Sequence, residues 1–152
     1  MNEFRRLREE AGLTQDEVCA RTGIARPNLS ALETGRRTGS GELLERVRSA
    51  CRRLPHEVLD AYAEQVRELV REHHGTAVAV FGSVARRDDR WNSDIDLLVD
   101  FERGHGTFNQ MRLWRALTDL LGTEVDLVSR AALYAGADRG FDRKVLDEAV
   151  TL

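Results

Sequence analysis

The sequence has little cysteine, almost no lysine and no long apolar run. Its 152 residues include two cysteines, Cys19 and Cys51. They match no metal-ligand spacing and fall in stretches that read as helices. They are expected to be reduced packing or surface thiols, as in a cytoplasmic protein. No apolar run approaches the roughly 18 residues of a membrane helix, so no membrane role is expected. The opening MNEFRRLREE has no apolar stretch after its charges, and no signal peptide is read there. Internal repeats and low-complexity segments are also missing. Lys144 is the only lysine; every other basic residue is arginine. What remains is 41% hydrophobic and 32% charged, ordinary for a globular chain. The length suits one domain or two small ones.

The charge is uneven. Residues 1–53 carry 11 arginines against 8 acids, and residues 54–152 carry 12 basic against 18 acidic side chains. A basic part followed by an acidic part suggests two functions. The first part reads as four short helices. Phe4, Leu7 and Ala11 share a face, and Gly12 ends that helix. Thr14 and Glu17 form a capping box for a helix over 14–21. A third helix covers about 25–34, and a fourth runs from Ser40 or Gly41 through Leu54. Pro55 marks a boundary, giving expected domains at 1–54 and 55–152. The second part reads as helix, strand, strand, helix, strand, helix. Its strands are TAVAVFGS, DIDLLVDF and TEVDLVS, its middle helix is 107–121, and its last is 141–150. The middle helix is expected to be amphipathic, carrying Met111, Trp114, Leu117, Leu120 and Leu121. The fold class expected is an all-α domain followed by a small α/β (α+β) domain with a short mixed sheet.

In the first part, LTQDEVCARTGIARPNLSALETGRR has two short helices joined by a glycine turn, the layout of a DNA-reading helix-turn-helix. Val18, Ile24, Leu29 and Leu32 would pack it. Gln15 sits at a helix start, where it could meet a phosphate. Arg26, Pro27, Asn28 and Ser30 would lie on the exposed face of the second helix. Arg26 and Asn28 can read base edges, and Arg36 and Arg37 suit phosphate contacts. RLREEAGLTQDEVCARTGI, LSALETGRR and the following ELLERV resemble the Cro/repressor-type (XRE) family. The resemblance implies binding to double-stranded operator DNA as a homodimer.

In the second part, an apolar strand leads into Gly82-Ser83, and Asp94-x-Asp96 opens the next strand. Glycine lets a phosphate approach the backbone. The turn's free N–H groups and the Ser83 hydroxyl can hold phosphate oxygens. Alternate strand residues share a face, so Asp94 and Asp96 repel unless a cation lies between them. Oxygen-only carboxylate pairs suit Mg²⁺. Asp126 joins them if its strand is the neighbour. FGSVARRDDRWNSDIDLLVDF, then VDLVS, then FDRKVLDEAVTL, resemble the minimal nucleotidyltransferase family of the DNA polymerase β-like superfamily.

That resemblance implies Mg²⁺-dependent transfer of AMP from ATP. Gly82, Ser83 and Arg86 would contact the triphosphate, and Asp94, Asp96 and Asp126 would bind metal and carry catalysis. The small members that act as antitoxins adenylylate a HEPN-type toxin, so such a toxin is the expected partner and autorepression the expected role of the DNA-binding domain. Two positions depart from the family pattern. Val84 stands where Arg often follows Gly-Ser. Arg87 stands where Gly often follows Ala-Arg, and it could instead supply a phosphate contact. They motivate a second expectation, a transcriptional regulator whose nucleotidyltransferase domain is catalytically degenerate. His73 and His74 read as favourable charge placement at a helix C-terminus, His105 as a solvated loop residue, and Tyr134 with GADRG as a surface loop.

Overall fold

The computed structural model describes residues 1–135 and 139–152. The chain divides into two compact units, Met1–Leu54 and Pro55–Leu152. The segment GADRG falls partly outside the described residues.

The first unit comprises α1 (Glu3–Glu10), α2 (Gln15–Thr22), α3 (Arg26–Glu33) and α4 (Gly41–Ala50). Thr14 and Glu17 complete the capping box of α2, and Gly23 ends it at φ 72°. Phe4, Val18, Leu29, Leu32 and Val47 form the core, with Ile24 partly buried against it. The fourth helix stops at Ala50, short of Leu54. Cys51 caps it through its N–H to Val47, and Leu54 precedes Pro55, where the ring disfavours helical backbone.

One buried carboxylate organises this unit. The Glu33 side chain is 3% exposed and lies 2.7 Å from Arg8 Nε. Arg8 Nη2 donates to its other oxygen at 3.0 Å, and Gln15 Nε2 donates at 2.9 Å. Burial pushes the Glu33 carboxyl upward, but the hydrogen bonds from Arg8 and Gln15 outweigh it and hold it below its usual range. Removing one partner of a buried pair strands the other charge, at a cost of about 3–5 kcal/mol. Arg8→Leu is therefore expected to lower the unfolding transition of this unit sharply. The double variant Arg8→Leu/Glu33→Leu is expected to recover most of the loss. Thermal melts of both variants check this, and a double variant no better than the single one contradicts it.

The second unit comprises α5 (Pro55–Glu72), β1 (Gly75–Phe81), α6 (Gly82–Arg86), β2 (Ile95–Phe101), α7 (Thr107–Leu121), β3 (Val125–Ser129), α8 (Arg130–Ala135), α9 (Arg139–Glu148) and β4 (Val150–Thr151). The sheet order is β3-β2-β1-β4. β1 runs antiparallel to β2 and β4, and β2 runs parallel to β3, so the sheet is mixed.

Side-chain alternation gives the sheet two buried faces. Val78, Val80, Ile95, Leu97 and Val99 pack with Leu59, Val66 and Val70 of α5 and with Leu113, Leu117 and Leu121 of α7. Ala79, Phe81 and Leu98 pack on the other face with Leu133 of α8 and Val145 of α9.

Several boundaries differ from the sequence expectation. The first strand ends at Phe81 because Gly82 turns the chain at φ 70°. Val150 leaves the last helix to pair with Val80. Met111 and Trp114 are 64% and 47% exposed, since the buried stripe of α7 is Leu113, Leu117, Leu121 at i, i+4, i+8. Tyr134 is exposed, but on α8 rather than a loop.

Candidate functional site

β2 carries Asp96 on the face it shares with Leu98, one residue out of step with the fully buried Ile95 and Leu97. Asp96 stands opposite Phe81 of β1 and, in the parallel ladder, opposite Asp126 of β3. Asp94 lies just before the strand. Neighbours in a ladder sit about 5 Å apart, so three carboxylates meet at one end of β2.

The electrostatics follow from that meeting. Burial, then the charges of Asp126 and Asp94, push the Asp96 carboxyl up to about 6, with Arg86 opposing and Glu148 adding to the rise. The group is asked to ionise beside two others with one cation facing it. The donor set is oxygen only and carries excess negative charge. That set fits Mg²⁺, which favours carboxylates together with substrate phosphates.

Gly82 has a tighter reason to be glycine than phosphate approach. A Cβ built there would fall 2.3 Å from Asp96 Oδ2, and φ is +70°. Ser83 follows it, half-buried, in the first turn of α6, where backbone N–H groups have no intrahelical partner.

The two arginines part company. Arg86 reaches Glu148 of α9 at 3.0 and 3.1 Å and Asp88 at 3.2 Å, and its charge acts on Asp96. Arg87 adopts φ 61° as the C-cap of α6, and its guanidinium forks onto Asp60 of α5 at 2.6 and 3.1 Å. The left-handed cap turns Arg87, expected to supply a phosphate contact, toward an exposed ion pair with α5. Val84 is 2% exposed, within the core between sheet and α5. Position 84 therefore faces inward in this chain.

Two residues went unnoticed in the sequence. Glu148 holds Arg86, and only the return of α9 across the sheet brings it there. The Asp89 side chain is fully buried, accepts from the His56 backbone N–H at 2.9 Å and lies 2.8 Å from His56 Nδ1. It ties the loop leading to Asp94 onto the start of α5.

In the first unit, Arg26, Pro27 and Asn28 are exposed in the first turn of α3, and Ser30 is half-buried. The proline sits where its missing N–H costs nothing. Arg26 lies 3.3 Å from Asp16, and Arg37 donates to Asn28 Oδ1 at 3.3 Å. Arg36 is exposed. The Gln15 amide is turned to Glu33 rather than outward, because the buried carboxylate needs a second donor. Ala25 caps α3 without a side-chain bond; its carbonyl accepts the Asn28 and Leu29 N–H groups at 2.9 and 3.0 Å.

Comparisons with known proteins match two parts of the chain to two families. Residues 64–152 match the family described as "Polymerase beta, Nucleotidyltransferase", and residues 2–61 match a helix-turn-helix domain family. The protein adenylyltransferase MntA of Thermococcus cleftensis is 36% identical over 91 residues, which are 59% of this chain and 87% of that protein. A solved structure provisionally assigned as a minimal nucleotidyltransferase is 44% identical, with a TM-score of 0.55, covering 64% of this chain and 95% of that one. An uncharacterised HTH-type transcriptional regulator of Sinorhizobium fredii is 62% identical over 34 residues, 22% of this chain and 44% of that protein.

Proposed function

Because the chain belongs to the polymerase beta nucleotidyltransferase family and carries a helix-turn-helix domain ahead of that region, we propose that it is a cytoplasmic antitoxin and autorepressor. It transfers AMP from ATP to a hydroxyl of a HEPN-type toxin and binds its own operator as a homodimer. The observation that carries this reading is the pairing of Asp96 with Asp126 in the parallel β2–β3 register, with Asp94 beside them and Gly82 cleared for the Asp96 carboxylate. The similarity to a protein adenylyltransferase supports AMP as the group and a protein as the acceptor.

Mg²⁺, held by Asp94, Asp96 and Asp126, would offset the triphosphate's charge and that of the departing pyrophosphate. Gly82 and Ser83 hold phosphate oxygens through the first-turn N–H groups and the Ser83 hydroxyl. Arg86, fixed by Glu148, faces the phosphates. Asp126, exposed on the edge strand, orients the acceptor hydroxyl and takes its proton. The hydroxyl oxygen bonds to the α-phosphorus, the bond from that phosphorus to the bridging oxygen breaks, and pyrophosphate leaves. The degenerate-domain reading rests on Val84 and Arg87. One is core and the other faces Asp60, so neither alters the carboxylate cluster.

The test is co-expression with the neighbouring gene's product, followed by intact mass measurement of that partner. One or more added AMP groups are expected, and none when Asp94→Asn/Asp96→Asn replaces the wild type. An unmodified partner in both samples counts against the proposal.

DNA binding has its own expected pattern. Arg26→Ala and Asn28→Ala should each relax base preference at one operator position, a cost of about 1–3 kcal/mol against the preferred base. Arg36→Ala or Arg37→Ala should weaken all sequences alike and reduce the slope of log K against log salt by about 1. Fluorescence anisotropy at several salt concentrations separates the two classes.

A further inference from the structure

We propose that His74, Glu102 and His105 form a zinc-type divalent-cation site, separate from the carboxylate cluster. Glu102 follows β2 at the end opposite Asp96. Gly75 pairs with Phe101 at that end, whereas Phe81 pairs with Asp96 at the other. Seven strand residues at about 3.3 Å each put the two sites roughly 20 Å apart.

The three ligand-bearing atoms all lie within 4.8 Å of one another. His74 Nδ1 is 3.5 Å and His105 Nε2 is 3.8 Å from the same oxygen, Glu102 Oε2. Tetrahedral Zn²⁺ with bonds near 2.0–2.1 Å sets its ligands about 3.3–3.4 Å apart. Imidazole binds metal in its ring plane, so the two parallel rings must swing out of their stack for both nitrogens to face one ion; three protein ligands then leave a fourth position for water.

The backbone is built to hold these side chains together. His74 takes the left-handed conformation at φ 62° between α5 and β1. Its carbonyl accepts the Glu102 N–H at 2.9 Å, and the Glu102 carbonyl accepts the His105 N–H at 3.2 Å. The two imidazoles stack, with centroids 3.7 Å apart and planes 9° from parallel. His105 Nδ1 sits 3.0 Å from the Asn109 side-chain amide. The atom facing it is Asn109 Nδ2, which donates to Nδ1; a metal at Nε2 requires this amide to flip and offer its oxygen to Nδ1. His73 is not part of the cluster, since its Nδ1 lies 2.8 Å from the Leu69 carbonyl. Two imidazoles and one carboxylate suit Zn²⁺ rather than Mg²⁺, which prefers oxygen. A bound ion would pin the α5–β1 turn to the loop that enters α7.

The test uses the full chain with Asp94→Asn/Asp96→Asn, so that the carboxylate cluster cannot contribute. Zn²⁺ is titrated against a chromophoric chelator, with circular dichroism to verify the fold. One Zn²⁺ per chain is expected, undisturbed by excess Mg²⁺ or by His73→Asn. His74→Asn, which tolerates the left-handed backbone, and His105→Gln should each weaken binding by at least about 100-fold, more than the loss of an outer-shell partner causes. Co²⁺ in place of Zn²⁺ should give a visible absorption band that both variants lose. No Zn²⁺ bound to the folded chain, or binding unchanged in His74→Asn and His105→Gln, overturns the proposal.

Discussion

Asp96→Asn is expected to abolish AMP transfer and, without divalent metal, to raise the melting temperature of the second unit. The activity loss follows from removing the carboxylate at the centre of the cluster. Charge stabilisation by a bound metal is worth several kcal/mol, so the fall should be about 10³-fold or more. The gain in stability follows from the same geometry. Burial and the charges of Asp126 and Asp94 raise the Asp96 carboxyl from 3.8 to about 6. Between those values the native state keeps a proton that the unfolded chain has released, so stability falls as pH rises through that window. Above about 6 the cost is fully present. Taken at face value the rise is worth about 3 kcal/mol, and solvent screening of a half-buried group reduces it to about 1–2 kcal/mol. Asparagine keeps the shape and drops the charge. For a unit of this size the gain is about 5 °C or more at pH 7.5. Below pH 4 the two proteins should melt together. Melts in chelator across this pH range check the prediction. A variant less stable than wild type at pH 7.5 contradicts it.

Gly82→Ala is expected to lose transfer as fully as Asp96→Asn, but with the opposite effect on stability. The added Cβ would stand 2.3 Å from Asp96 Oδ2 and 3.3 Å from its Cγ. The Asp96 carboxylate must shift to make room, and the backbone at φ +70° is strained for any residue with a Cβ. The left-handed conformation costs an L-residue about 1–2 kcal/mol, and overpacking adds about 1–3 kcal/mol. The melting temperature should fall by about 10 °C or more. The clash is with one side chain, so Gly82→Ala/Asp96→Ala should regain part of the loss. That non-additivity marks direct contact. Strict additivity in melts of the single and double variants would refute the contact. Activity is absent in each variant, so stability alone separates the two causes.

The two substitutions also show which parts of the site can be read from sequence. Asp94, Asp96 and Asp126 are legible because carboxylates in apolar strands break the local pattern, and because a strand period of 2 fixes their face. Whether Asp126 met the pair depended on β3 lying next to β2, which alternation cannot decide. Gly82 was legible as a special position, but the reason was not, since its neighbour lies 14 residues on and across a strand pair. Arg87 shows the limit more sharply. Sequence gives it a charge near a phosphate turn, whereas a single φ of 61° turns it to Asp60. Glu148 and Asp89 meet their partners through contacts distant in sequence, and so does His74, which reaches the local Glu102–His105 pair from 28 residues upstream. In α7 the apolar residues outnumber the buried positions. Met111 and Trp114 fit a helical stripe that the sheet does not cover.

The most direct measurement supplies the purified protein and its partner with ATP labelled at either the α- or the γ-phosphate, in the presence of Mg²⁺. The account predicts that the α-label appears on the partner, that the γ-label does not, and that Asp96→Asn transfers neither. Label arriving from the γ-phosphate, or α-label transfer undiminished by Asp96→Asn, would contradict it.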